Sequence, residues 1–363
     1  MIPARHESRC CFWGVLILLA VARVGSAQVS FTEYPVPTTG SGPAYIVTGP
    51  DGAMWFTESF GNKIGRITTG GGFTEYLVPT AASSPEGIAV GPDGALWFAE
   101  QLANKIGRIT TAGAFTEYSI PAVGSEPLVI VAGSDGALWF TDFAGSRIGR
   151  VTTAGGFTLY SIPTANGEPY GIAAGPDGAL WFTEITAGKI GRITTAGIFS
   201  EYAVPTAGSN PDGIAAGPDG ALWFTESFAN KIGRITTAGA VTEFSAPTPG
   251  SQPIGIAAGP DGAMWFTGPG IGRITMAGFV SAYPLPTSGG GPLQITAGPD
   301  GAMWFTEISG NKIGRAAFSS SIPALSMWGL ALLSMLTIAA GALALRRHGG
   351  GWWTIPGDTS NLR

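Results

Sequence analysis

The sequence predicts an all-β fold: a seven-bladed β-propeller with four strands in each blade. A segment of ten residues, typified by GPDGALWFTE at 175–184, occurs seven times with small variations. Its tryptophan recurs at a spacing of 42 residues five times and then 39, at Trp55, Trp97, Trp139, Trp181, Trp223, Trp265 and Trp304. Constant spacing of this size is typical of folds built from one repeated unit.

Residues 169–205 show the four predicted strands of one repeat. The run GIAAG is a short apolar strand, and the PDG after it has the residues of a tight turn, because proline fixes φ and glycine accepts positive φ. ALWFTE alternates between two faces, KIGRIT is a third strand, and IFSEY is a fourth after the turn TAG. No part of the repeats has the periodicity of an amphipathic helix.

The strand order also predicts how the ring closes. The fourth-strand sequence FTEY first appears at 31–34, before the first inner strand, and none follows the last IGR at 313–315. We therefore expect residues 31–34 to form the outer strand of the seventh blade, which leaves no unpaired edge at the seam.

Residues present in nearly every repeat are predicted to be structural, because one ligand site on a ring cannot use all seven copies. We expect the tryptophans to pack between blades, where each ring buries about 150–250 Å². The carboxylates that end WFTE are expected to pair with the Lys or Arg of NKIGR: Glu58, Glu100, Asp142, Glu184, Glu226 and Glu307. The sixth repeat favours this pairing, since it has Gly268 there and also lacks the Asn-Lys pair.

Residues 1–27 have the pattern of a secretory signal peptide. Arg5 and Arg9 precede the apolar run 10–22, and small residues lead to a cleavage point after Ala27. A short membrane anchor is the alternative interpretation. The chain's two cysteines both lie in this segment, so cleavage leaves no disulfide, zinc–thiolate site or cysteine nucleophile.

A second apolar run, at 324–345, contains no charge and is long enough to cross a bilayer as a helix. The arginines after it favour a cytoplasmic C-terminus. The predicted organisation is a signal peptide at 1–27, a propeller at 28–318, a sorting signal with a transmembrane helix at 319–347, and a disordered tail at 348–363. The propeller is then exported and membrane-anchored, in the periplasm or at the cell surface.

The start of this segment, SIPALSMWG at 321–329, resembles the IPTL-type C-terminal sorting signal of Gram-negative exported proteins. The matching residues are Ile322, Pro323, Leu325, Trp328 and Gly329, whereas Ala324 replaces a threonine. The net charge of −5 and the lack of a basic run in the repeats argue against a nucleic-acid partner.

The repeats differ most around a proline just before each first strand. In a propeller these strands line the central channel, so their entry residues surround its mouth. The predicted rim comprises Glu86, Glu126, Glu168, Tyr170, Asn210, Asp212 and Gln252, all on blades two to six, and blades one and seven offer Tyr45 and Gln294 instead. We expect a small molecule, peptide or glycan ligand at this mouth; a rim that is merely solvated is the alternative.

Four carboxylates at one mouth suit a hard cation, a cationic ligand or a polyhydroxy ligand. The predicted ligands for magnesium or calcium are Glu126, Glu168 and Asp212. No organic cofactor is expected.

The combined repeat, with PDGALWFTE, NKIGRITT and TEY in register, resembles the virginiamycin B lyase family over about residues 28–318. This resemblance implies a seven-bladed propeller that opens a cyclic depsipeptide antibiotic of the streptogramin B type at its ester, by elimination. It also implies a histidine base and a magnesium ion held by glutamates.

The chain departs from the family where the family has its histidine, after the inner-strand proline of a late blade. Those positions hold Ile254 and Leu293, and the chain's two histidines are His6 and His348, outside the repeats. Tyr170 with Glu168 is a conceivable substitute base pair. Two classes of function stay open, a binding module without chemistry and a lyase, and the missing histidine favours the binding module.

Overall fold

A computed structural model describes residues 28–248 and 250–319, which form seven four-stranded antiparallel sheets. The predicted all-β seven-bladed propeller is therefore confirmed. The predicted signal peptide, transmembrane helix and C-terminal tail lie outside the described residues. Within the described part, no helix has the length and apolar character needed to cross a membrane.

The strands recur in the same order in each blade. The inner strands are β2 (Pro43–Thr48), β6 (Pro85–Val90), β10 (Pro127–Ala132), β14 (Pro169–Ala174), β18 (Pro211–Ala216), β22 (Ile256–Ala258) and β26 (Pro292–Ala297). The second strands are β3 (Met54–Glu58), β7 (Leu96–Glu100), β11 (Leu138–Asp142), β15 (Leu180–Glu184), β19 (Leu222–Glu226), β23 (Met264–Thr267) and β27 (Met303–Glu307).

The third strands are β4 (Lys63–Ile67), β8 (Lys105–Ile109), β12 (Arg147–Val151), β16 (Lys189–Ile193), β20 (Lys231–Ile235), β24 (Ile271–Ile274) and β28 (Lys312–Ser319). The outer strands are β5 (Phe73–Leu77), β9 (Phe115–Ser119), β13 (Phe157–Ser161), β17 (Phe199–Ala203), β21 (Val241–Ser245), β25 (Val280–Tyr283) and β1 (Gln28–Pro35). A 3-10 turn, η1 (Gln101–Ala103), joins β7 to β8.

The seam closes as predicted, because the seventh sheet has the order β1-β28-β27-β26. Within the described residues, the first strand thus pairs with the last. The Glu33 carboxylate forms an ion pair with Lys312, whose Nζ lies 2.6 Å from Glu33 Oε2. The Tyr34 ring stacks on the Trp304 ring, with centroids 5.7 Å apart. These contacts join residues 279 and 270 positions apart, so the two ends of the propeller hold each other in place.

The tryptophans pack between blades, as predicted. All seven are fully buried, and Trp55 of blade one clusters with Leu96, Phe98 and Ile109 of blade two. The indole N–H of Trp55 donates to Asp51 Oδ1 at 2.9 Å, and Arg66 Nε donates to the other oxygen of the same carboxylate at 2.7 Å. Equivalent contacts recur in every blade, so the aspartate of PDG joins a tryptophan to the arginine of IGR.

The predicted pairing of the WFTE carboxylates is wrong in five blades. In blade four, Lys189 Nζ lies 2.8 Å from Oε2 of Glu201 on the outer strand, and it also donates to Thr164 Oγ1. Both oxygens of Glu184 are buried without a hydrogen-bond partner among the described residues. Burial, reinforced by the neighbouring Glu201 carboxylate, raises the pKa of Glu184 to about 7.

Blade three keeps the predicted pair because its network is different. Leu159 stands where blade four has Glu201, so no outer-strand carboxylate competes for the cation. Arg147 Nη2 instead lies 2.7 Å from Asp142 Oδ2, and the Ser125 hydroxyl donates to the same oxygen at 2.9 Å. The basic side chain therefore pairs with whichever carboxylate the blade supplies, and it prefers the outer one when both are present.

Candidate functional site

The inner strands of neighbouring blades approach closely around the channel. A Cβ added at Gly171 would lie 2.4 Å from the carbonyl oxygen of Asp212, a distance that no real side chain tolerates. Gly213 meets the carbonyl oxygen of Ile254 at the same distance. Glycine two residues after the proline therefore allows these adjacent inner strands to approach each other closely.

Threonines of the second strands connect these inner strands. The hydroxyl of Thr183 accepts from the backbone N–H of Gly171 at 2.9 Å and donates to the carbonyl oxygen of Asp212 at 2.7 Å. Thr141 in the same way donates to the carbonyl oxygen of Tyr170 at 2.8 Å. The backbones of Tyr170 and Asp212 are thus held by hydroxyls of the preceding blade, a role for the threonine of WFTE that the sequence analysis missed.

Four side chains from different inner strands come together in the channel: Tyr45, Glu86, Tyr170 and Asp212. We call them the mouth cluster. The side chains of Tyr45 and Tyr170 lie close enough to affect each other's pKa, and the charges of Glu86 and Asp212 act on both tyrosines. Tyr45 is buried and the other three are half-buried.

Burial dominates the electrostatics of the mouth cluster. It raises the pKa of Asp212 to about 7, and it raises the pKa of Glu86 to about 7 against the opposing hydrogen bonds of Ser59 and Ser84. Asp212 Oδ1 is buried and has no hydrogen-bond partner among the described residues. The cluster therefore presents two carboxyl groups that titrate near neutral pH, and no lysine or arginine is among the groups that shift their pKa values.

The other predicted rim residues lie on the turn before the proline and point to different partners. The Glu168 carboxylate accepts from the Thr186 hydroxyl at 2.8 Å, in exposed surroundings, and Asn210 Nδ2 donates to Ser227 Oγ at 2.8 Å. Glu168, Asn210 and Gln252 all have positive φ. Glu126 bonds through its backbone N–H to Asp142 Oδ1 at 3.1 Å.

The predicted rim thus separates into two sets. Glu86, Tyr170 and Asp212, which follow the proline, join the mouth cluster. The rim residues that precede the proline do not join the mouth cluster. At Glu168, Asn210 and Gln252 the backbone is left-handed, and the chain turns there before it enters the inner strand. Tyr45, named in the sequence analysis as a substitute at blade one, is a central member of the cluster.

The described residues do not fit the magnesium site that the family resemblance implies. Within residues 28–248 and 250–319, no group of three or more His, Cys, Asp or Glu side chains is placed to hold a metal ion. The predicted trio of Glu126, Glu168 and Asp212 is therefore not assembled as a metal centre there. Metal binding itself stays a prediction.

The proposed base pair of Tyr170 and Glu168 also finds no support in this geometry. The carboxylates acting on Tyr170 are Asp212 and Glu86, whereas Glu168 bonds to Thr186. Burial, followed by the charge of Asp212, raises the pKa of Tyr170 far above its ordinary range. A phenol with this pKa stays protonated near neutral pH and is a poor general base.

A model of the virginiamycin B lyase family matches residues 18–205 and 173–330, which together span most of the chain. The chain belongs to the virginiamycin B lyase family. A virginiamycin B lyase from Bacillus licheniformis is 49% identical over 44 residues, which are 12% of this chain and 15% of that protein. This short match covers about one blade, so the solved structures define the family relationship over the whole ring.

Virginiamycin B lyase from Staphylococcus aureus is 39% identical and superposes with a TM-score of 0.77, over 80% of this chain and 99% of that one. A structure described as a streptogramin B lyase is 41% identical, with the same TM-score, over 80% of this chain and 98% of that one. A catalytically inactive histidine-to-alanine variant of the S. aureus lyase, solved with quinupristin, is likewise 39% identical.

The C-terminal region matches the IPTL-CTERM motif at residues 320–348. The predicted sorting signal is thereby confirmed, and the motif indicates an exported protein sorted through its C-terminus. The β-propeller domain of Doa1, at 11% identity and a TM-score of 0.66, shares only the fold.

Proposed function

We propose that this chain is an exported, membrane-tethered propeller that binds a ligand at the channel mouth and does not carry out the family's elimination reaction. The observation that carries the proposal is the absence of histidine between residues 7 and 347. Elimination needs a base within hydrogen-bond reach of the proton that it removes. Ile254 and Leu293 occupy the two positions where a histidine was expected, and neither can accept a proton.

The S. aureus relative supports the separation of binding from chemistry. Its inactive variant has lost one histidine and was nevertheless solved with quinupristin. A propeller of this family can therefore lack activity and still hold its ligand. This chain has the same kind of deficit in its natural sequence.

The mouth cluster supports a cationic or polyhydroxy ligand. Glu86 and Asp212 are carboxyl groups without a lysine or arginine among the groups that shift their pKa values. An ammonium group would supply the missing counter-charge, and hydroxyl groups would supply hydrogen-bond partners for Asp212 Oδ1 and the two tyrosines. Small molecules, peptides and glycans all include ligands of this kind.

Incubating the purified chain with quinupristin, and looking for the ring-opened product, tests the proposal directly. The purified chain should leave quinupristin intact, since loss of a general base typically costs about 10²–10⁴-fold in rate. Elimination opens the ring without changing the mass of the molecule, so liquid chromatography with tandem mass spectrometry after incubation with magnesium detects the linear product by its retention time and fragments. The S. aureus lyase is the positive control. Turnover comparable to that enzyme would contradict the proposal and restore the lyase as the function.

Binding at the mouth is tested separately by calorimetry with spermidine, lysine-containing peptides and oligosaccharides. Asp212→Asn removes a buried carboxylate of the mouth cluster and should weaken binding. Glu168→Gln is the matched control, because this carboxylate is exposed and bonds only to Thr186. Calcium and magnesium titrations with the same two variants test the metal prediction. Identical affinities for Asp212→Asn and the parent would place the ligand elsewhere.

A further inference from the structure

Blade six lacks a charged network that fills the same place in five other blades. In blade four that network consists of Glu184, Lys189 and Glu201, with the Thr164 hydroxyl bonded to both Lys189 and Glu201. It lies at the end of the blade where the second strand ends and the third begins. Blades one, two, five and seven repeat it with the same lysine–glutamate pairing.

Three small residues replace this network in blade six. Gly268, Gly270 and Ala282 occupy the positions of the inner glutamate, the lysine and the outer glutamate. The turn between β23 and β24 is also three residues shorter, which explains the spacing of 39 before the last tryptophan. Both changes remove atoms from the end of blade six where the second strand ends and the third begins.

The space left behind is a pocket of about 340 Å³, the blade-six pocket, whose lining includes Thr248, Phe266, Gly268, Gly270, Ala282 and Tyr283. Its lining is mostly apolar and contains no charged side chain. Phe266 is 3% exposed, whereas the equivalent phenylalanine of every other blade is fully buried. The ring of Phe266 thus forms part of the pocket wall only because the charged network is missing.

Phe266 also lacks an aromatic neighbour that most blades provide. In blade four the equivalent ring, Phe182, packs edge-to-face with Phe199, with centroids 6.2 Å apart. Val280 stands at that position in blade six. An aromatic ring entering the blade-six pocket would meet a phenylalanine that has no edge-to-face partner, a contact worth about 0.5–1.5 kcal/mol beyond its area.

We propose that the blade-six pocket binds an uncharged aromatic ring. A cavity of about 150 Å³ is enough for benzene, so this pocket admits one ring with its substituents. A carboxylate or ammonium group would lose hydration without gaining a counter-charge, which excludes ionised ligands. The Thr248 hydroxyl, whose counterpart in blade four bonds to Glu201, is available at the wall for a phenol or indole N–H.

The pocket opens on the same side of the ring as the channel mouth. Ser251 lines it and directly precedes Gln252, at the turn that enters the inner strand of blade six. The proposal nevertheless goes beyond the proposed function, because it involves no residue of the mouth cluster.

The test is ¹⁹F NMR of 4-fluorophenol titrated with the purified full chain, with 4-fluorobenzoate as the charged analogue. The unmodified protein should broaden the 4-fluorophenol signal until the effect saturates. It should bind 4-fluorobenzoate at least tenfold more weakly than 4-fluorophenol. Ala282→Leu should reduce fluorophenol affinity at least tenfold by filling the pocket. Leucine is compatible with the strand, because blade three has Leu159 at the equivalent position.

Ser281→Leu adds the same side chain to the opposite face of the strand and should bind like the parent, as should Asp212→Asn at the mouth. Ala282→Val is a smaller second filling variant, used if circular dichroism shows that the leucine variant is unfolded. The proposal is overturned if the parent shows no saturable binding, if the filling variants bind as the parent does, or if Ser281→Leu loses binding equally.

Discussion

Stability should fall as pH rises through neutrality, and Glu184→Gln should remove one part of that dependence. Glu184 is fully buried, and its pKa rises from an ordinary value of 4.5 to about 7 in the fold. The folded state therefore holds a proton that the unfolded chain releases. This contribution is fully present below pH 4.5 and is lost as pH rises through about 7.

The size of the effect follows from the two pKa values. A difference of about 2.5 corresponds to about 3.4 kcal/mol when the group is fully deprotonated. Between pH 5 and pH 8 the loss for Glu184 alone is about 2.5 kcal/mol by the same relation. Glu58, Glu100, Glu226 and Glu307 have the same environment and pKa values of about 7, so the whole ring should lose a multiple of this amount.

The assay is denaturant unfolding followed by tryptophan fluorescence at pH 5, 6, 7 and 8. Glutamine resembles the protonated acid, so Glu184→Gln should match the parent at pH 5 and exceed its free energy of unfolding by about 2–3 kcal/mol at pH 8. Asp142→Asn is the control, because Asp142 is paired with Arg147 and its neutralisation should destabilise the fold. A Glu184→Gln variant that is less stable than the parent at pH 8 would refute the reasoning.

Three further predictions concern the seam, the channel and the N-terminus. Deleting 28–36 removes the outer strand of blade seven and should cause aggregation or a large drop in Tm; a deletion as stable as the parent would contradict the observed pairing. Gly171→Ala places a Cβ against the Asp212 carbonyl and should cost about 1–3 kcal/mol in denaturant unfolding, with Gly178→Ala, a tight-turn glycine, as a comparison. Mass spectrometry of the mature protein should show Gln28 as its first residue, and an intact 1–27 segment would exclude cleavage there.

The architecture could be predicted because each repeat carries its own evidence. Seven tryptophans at constant spacing predict seven blades, and the displaced FTEY at 31–34 predicts the closing strand. Packing of Trp55 against the next blade follows, since an indole of that size needs a neighbour to cover it. These inferences depend on strand order and side-chain size. Both can be read from each of the seven repeats, so the repeats support one another.

The mouth cluster could be predicted only in part, because backbone conformation separates residues that are two positions apart. Glu168 and Tyr170 flank the same proline, yet positive φ at Glu168 directs its carboxylate to Thr186 while Tyr170 enters the channel. The partner of Lys189 could likewise not be predicted, because both Glu184 and Glu201 lie near it. The sequence alone does not indicate which of the two forms the ion pair. Choices of this kind are made by geometry across strands, not by spacing along one strand.

The repeats also act as internal controls, and they indicate that the charged network changes as a unit. Blade three replaces the outer glutamate with Leu159 and simultaneously has Asp142, Arg147 and Ala122 in place of Glu, Lys and Thr. An unpaired buried charge is costly, so losing one member makes the others unfavourable unless they change too. In blade three Arg147 pairs with Asp142, and side chains still occupy the position of the network. In blade six all the charged side chains are replaced by small residues, which leaves a pocket. The same energetic rule therefore explains both the six filled positions and the apolar opening in blade six, where a ligand can supply the contacts that the chain omits.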